Sequence, residues 1–107
     1  MNDKEMLELA AKSAGIELTN YDDVLYKKGT TTKWNPLDSN EDAFKLMVDH
    51  HMKVDFYTTP NGVQGSHIEV YATDSYFTAW EDVEPDHYEA TRRAIVRLAA
   101  RKGRMNK

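Results

Sequence analysis

The chain of 107 residues has no cysteine, and its five glycines and three prolines are scattered. Without cysteine there are no disulfide staples, no thiolate nucleophile and no zinc site built on sulfur, and the composition suits a reducing compartment such as the cytoplasm. Without a clustered set of glycines there is no loop to cradle phosphate. Long apolar runs are missing too: the opening MNDKEMLELAAKSAG mixes acids with its apolar residues and reads as neither a signal peptide nor a membrane span. No two histidines stand three or four apart. His50 and His51 are adjacent and diverge by about 100° on a helix, while His67 and His87 fall on other elements, so no metal is expected. No nucleophile with a placed base and no zinc-protease helix is visible, so a non-enzymatic protein without a cofactor is expected.

What is present is a single small domain's worth of apolar residues, 40% of the chain, with a divided charge. The net charge of −4 splits at Arg92 into an acidic body of −11 and a basic C-terminal stretch of +7. An acidic body favours basic protein surfaces, whereas a basic stretch suits phosphate.

Leu7, Ala10, Ala11 and Ala14 recur at helical spacing after Asp3, and Gly15 supplies a stop. In the next segment Val24, Tyr26, Thr31 and Thr32 have strand propensity, with Gly29 as the turn of a short hairpin. Asn35-Pro36 breaks regular structure, and Ser39 or Asp38 with Glu41 or Asp42 then reads as a capped helix start. That helix, residues 39–51, places Phe44, Met47, Val48 and His51 on one face. From Lys53 the period changes to two, and three strands follow as a meander whose first turn contains Asn61 and Gly62. The closing helix opens at Pro85-Asp86 and carries Tyr88, Thr91, Ala94, Ile95 and Leu98 on one stripe, with residues 102–107 as a frayed basic tail. The expected class is α+β: three helices with a central antiparallel sheet of three or four strands. Aromatics on both strand faces would be explained by an αβα sandwich.

Each candidate site has a structural alternative. Trp34 either caps a ligand pocket, as a small-molecule-sequestering protein would need, or plugs the end of the core. Asp38, Glu41 and Asp42 either bind a cation or cap a helix, and capping fits better because a calcium loop needs a glycine absent from this stretch. Arg93, Arg97, Arg101 and Arg104 run along one side of the last helix at a spacing that suits a nucleic-acid backbone or an ordinary solvated face.

Three segments resemble a known group. WNPLDSNEDAFKLMV (34–48), HYEATRRAIVRLAA (87–100) and KEMLELAAKSAGIE (4–17) are similar to segments of small phage and prophage proteins of the phage alpha-beta-alpha sandwich domain type. The likeness covers somewhat under half the chain and brings no catalytic or ligand residues with it. It implies a phage-encoded accessory protein made in the bacterial host cytoplasm and acting by binding a host protein, with inhibitors of host defence such as anti-CRISPR proteins as the corresponding class. The expected contact residues are the acids Asp22, Asp23, Asp38, Glu41, Asp42, Glu81, Asp82 and Glu84, facing a host surface such as one that normally receives nucleic acid. The alternative is a nucleic-acid-binding module that uses Arg93, Arg97, Arg101 and Arg104. Neither reading involves a membrane.

Overall fold

The computed structural model describes residues 2–57, 67–73, 78–82 and 86–105. They form an α+β fold of three helices with a two-stranded and a three-stranded antiparallel sheet.

Helix α1 (Asp3–Ser13) starts on Asn2, whose side chain accepts from the Glu5 amide and donates back to the Glu5 carboxylate. It ends in a Schellman motif: Gly15 takes φ +71°, and the Ile16 and Gly15 amides bond the carbonyls of Ala11 and Lys12. The expected stop is therefore made by that glycine. Strands β1 (Leu18–Tyr21) and β2 (Val24–Lys27) pair antiparallel around Asp22 and Asp23, both at positive φ as a type I′ turn requires. The hairpin expected at Gly29 is only partly realised. Gly29 does reverse the chain at φ +76°, but the return pairs with β2 through one bridge, Tyr26 to Lys33, while the full ladder lies on the Asp22-Asp23 side. Two short aspartates tolerate the left-handed region well enough to form the tighter turn.

Trp34, only 3% exposed, and Pro36 are buried where the chain leaves this hairpin. The Asn35 side chain and carbonyl then hold the amides of Leu37, Asp38 and Ser39. Helix α2 (Asn40–Asp49) follows with Ser39 as N-cap, its hydroxyl accepting from the Asp42 amide. The buried residues of α2 are Ala43 and Leu46, whereas Phe44 and Val48 are exposed and His51 lies beyond the helix at φ +51°. The face expected to be core is thus turned about one residue away from it.

Strands β3 (Met52–Tyr57), β4 (His67–Ala72) and β5 (Thr78–Asp82) form the expected meander in the order β3-β4-β5, with Val54 opposite Val70 and Val70 opposite Ala79. The Asn61-Gly62 turn lies outside the described residues. Ile68, Val70 and Ala72 alternate inward as their period-two spacing requires. Helix α3 (His87–Met105) begins on Asp86, whose carboxylate accepts from the Tyr88 and Glu89 amides. Ala94, Val96, Leu98 and Ala99 are fully enclosed, because α3 packs at once on β4, β5, α2 and α1.

Two expectations change here. Residues 102–105 belong to α3, and Gly103 is buried against α1: a Cβ there would stand 1.9 Å from the Leu9 carbonyl oxygen, so the absence of a side chain is what lets the helices close. Among the described residues, the helices that cover the three-stranded sheet, α2 and α3, meet its inner face, and α1 stacks on α3. The other face carries Lys53, Asp55, His67, Glu69, Tyr71 and Trp80, so its aromatic residues stand among polar neighbours, and no helix of the described residues covers them.

Candidate interaction surfaces

The hairpin β1–β2 and the start of α2 enclose a cleft of about 600 Å³ with Trp34 and Leu25 among its lining. Four of the expected acids, Asp23, Asp38, Glu41 and Asp42, stand on it, carried by the type I′ turn, the turn before Ser39 and the first turn of α2. Trp34 therefore plugs the core and also lines a cleft. The acids are not a uniform field, because Lys4, Lys27, Lys33 and Lys45 share the lining. Asp42 already accepts from the Asn35 amide at 3.0 Å, and Glu41 pairs with Lys45 at 3.2 Å in an exposed i,i+4 bridge. Such a bridge contributes only about 0.3–0.5 kcal/mol and is easily exchanged for another cation.

The remaining acids lie elsewhere. Asp22 shares the turn with Asp23 and is exposed. Glu81 is on the inner face of β5, largely covered and paired with Arg97. Asp82 is on β5, where only its backbone is described, and Glu84 lies outside the described residues.

The arginine stripe of α3 braces the fold. Arg93 reaches Asp3 of α1 at 3.2 Å, Arg97 pairs with Glu81, and Arg101 donates to the Thr78 carbonyl at 2.7 Å. Arg92 beside them donates to the Leu37 carbonyl and the Asn40 side chain. Arg104 is exposed and makes no such link among the described residues, so at the other three expected phosphate contacts a nucleic-acid backbone would have to compete with tertiary links. The spacing of these residues was readable in the sequence; the partners that occupy them were not.

A third surface was missed. Between α2, β3 and α3 runs a groove of about 620 Å³, with Ala43, Phe44, Met47, Val54, Phe56, Tyr88 and Ile95 in its lining. Phe44, Phe56 and Tyr88 are 61%, 60% and 70% exposed. The signal lay in the run Ala43-Phe44-Lys45-Leu46-Met47-Val48, which holds more apolar residues than one stripe of a helix can bury. The surplus faces outward.

On the outer face of the sheet, Glu69 accepts from the Tyr71 hydroxyl and contacts His67 Nε2 at 3.2 Å. The Tyr71 hydrogen bond is the main cause that holds the Glu69 carboxyl below its ordinary range, with His67 adding to it against some desolvation. A carboxylate kept ionised in this way orients its neighbours and is a poor proton donor. The His67 ring also meets Trp80 edge-on at 5.6 Å.

Ser13 and His50 approach within 2.9 Å, a spacing that a nucleophile and its base would share. The Ser13 hydroxyl has one proton for two partners, and its 2.7 Å contact to the Ala10 carbonyl competes with any donation to the imidazole. Among the described residues no group of three His, Asp or Glu side chains is placed to hold a metal ion, and no helix is long and apolar enough to cross a membrane. No protein-family model, no curated protein and no solved structure matches this chain, so a function for these surfaces has to be argued from their chemistry.

Proposed function

We propose that this protein works without a catalytic step, by docking onto another protein through the acidic end of α2 and the adjoining β1–β2 turn. The observation that carries the reading is the gathering of Asp23, Asp38, Glu41 and Asp42 around one cleft by two rigid backbone devices, a type I′ turn and a capped helix start. Fixed carboxylates attract and orient lysines and arginines at low entropic cost, and a surface that normally receives nucleic acid is rich in both. The resemblance of residues 4–17, 34–48 and 87–100 to phage proteins adds the setting: a phage accessory protein in a bacterial host, blocking a host defence complex in the manner of an anti-CRISPR protein.

The test is affinity capture from bacterial host lysate with the intact chain and with a variant carrying Asp23→Lys, Asp38→Lys and Asp42→Lys. The reading expects a specific partner in the first arm and its loss, by at least about tenfold, in the second. Equal capture by both would end the electrostatic account. The nucleic-acid alternative predicts retardation of DNA or RNA at low salt that is lost in Arg104→Glu; the braces on Arg93, Arg97 and Arg101 weigh against it.

A further inference from the structure

We infer that the groove between α2, β3 and α3 receives an amphipathic helix of the partner protein, which fills it with bulky apolar side chains and sets a lysine or arginine against Glu41. This deepens the docking function and rests on that reading.

The groove has a firm floor and soft walls. Ala43 and Ile95 are buried, whereas Phe44, Phe56 and Tyr88 stand largely in water. Three large aromatic residues from three separate elements, exposed side by side, form the kind of contiguous apolar patch that marks an interaction site. Because these walls offer almost no hydrogen-bonding partner, a backbone lying among them has to satisfy its own polar groups. A helix does so and an extended segment does not.

The charge at the rim selects the sign of the partner. Arg92 reaches the groove but is already satisfied by the Leu37 carbonyl and the Asn40 side chain, so it makes little demand for an acid. Glu41 is the acid in the lining, and its exposed bridge to Lys45 is the exchangeable kind. Glu41 also lines the Trp34 cleft, on which Asp38 and Asp42 stand, so this one side chain borders both concavities. An incoming helix with basic residues beside its apolar stripe would meet both. A second copy of this chain is a poorer occupant, since its own α2 carries Glu41, Asp42 and Asp49 and only Lys45 in return, and would set like charge against the Glu41 of the rim.

The experiment is selection of a displayed library of helical peptides on the intact chain, followed by titration of the enriched peptide by fluorescence anisotropy. Enriched sequences are expected to carry large apolar residues at i, i+4 and i+7 with a basic residue alongside. Phe44→Asp is expected to weaken the peptide at least about tenfold. Glu41→Lys is expected to weaken it several-fold, with recovery when the peptide's basic residue becomes glutamate. Phe56→Ser is a second groove variant on a different element, and thermal melts of both variants check that the fold persists. The inference fails if nothing is enriched over a library with scrambled apolar positions, if the enriched peptides are extended or proline-broken, or if both groove variants bind as well as the parent. It also fails if sedimentation shows a dimer of the chain alone that Phe44→Asp disperses, which would give the groove to a second copy. Failure of the broader reading is distinguishable: a host partner lost with Asp23→Lys, Asp38→Lys and Asp42→Lys yet kept with Phe44→Asp removes the groove inference alone.

Discussion

Along one flank of α3 the seam with α1 is closed by small residues, Ala10 and Ala11 from one helix and Ala99, Ala100 and Gly103 from the other, all buried. Along another flank α3 borders the groove it shares with α2 and β3, where Phe44, Met47, Phe56 and Tyr88 stand over the buried Ala43 and Ile95. Side-chain size sets how near two helix axes can come, so the alanines and glycine make a sealed joint while the aromatics hold a furrow open. The same helix thus serves as a structural spine on one side and as the wall of a candidate site on the other. The basic residues divide with the flanks: Arg93 tightens the α1 seam, Arg97 and Arg101 bind α3 to β5, and on the α2 side Arg92 is taken up by the Leu37 carbonyl and the Asn40 side chain.

The largest expected effect comes from the buried face of α2. Leu46 is 2% exposed and sits on the face of α2 opposed to water, so Leu46→Ala is expected to cost about 2–5 kcal/mol, the usual loss and cavity terms together. Chemical denaturation would read this directly, and a loss below 1 kcal/mol would mean that α2 is rotated from the arrangement described. Gly103→Ala attacks the closed seam. The added methyl would meet a backbone carbonyl at 1.9 Å, which no side-chain rotation relieves, so α1 and α3 have to separate. Overpacking costs about 1–3 kcal/mol and the better helix propensity of alanine returns up to about 1, so a net loss near 1–2 kcal/mol and a melting temperature lower by several degrees are expected. A stabilised variant would show that the seam is looser than the geometry requires. Ser39→Ala removes the cap that starts α2 and is expected to cost about 1 kcal/mol, with Ser39→Asp restoring most of it.

These effects also show what could be read from the residues alone. The meander was legible because Ile68, Val70 and Ala72 alternate with polar neighbours, and a period of two admits one inward face. The end of α1 and the starts of α2 and α3 were legible because Gly15, Ser39 and Asp86 have local jobs that do not depend on the rest of the fold. The rotation of α2 was not. Ala43 and Leu46 form one apolar spacing and Phe44, Met47 and Val48 another, and periodicity favours the series with the larger residues. Which series is buried depends on how close α3 comes, a tertiary fact. The hairpin was displaced for a related reason: Leu18 to Tyr21 is short and mostly polar, and the decisive signal, two aspartates at positive φ, looked like ordinary acidic surface. The arginines gave their spacing but not their occupants, and a gap in a helix as small as Gly103 reads as fraying until a second helix is seen resting on it.

The smallest expected effect is the most informative about the open side of α3. Phe44 retains about two-fifths of its surface in contact with the protein, being 61% exposed. At the usual area scale that contact contributes on the order of 1 kcal/mol, and alanine's higher helix propensity offsets about half of it. Phe44→Ala should therefore shift stability by about half a kcal/mol or less, roughly within the error of a denaturant titration. A large aromatic residue that contributes so little to holding the fold, next to a leucine two positions on that contributes several times more, is placed for contact with something outside the chain. A loss from Phe44→Ala comparable to that from Leu46→Ala would instead make Phe44 part of the core and close the groove as a docking surface.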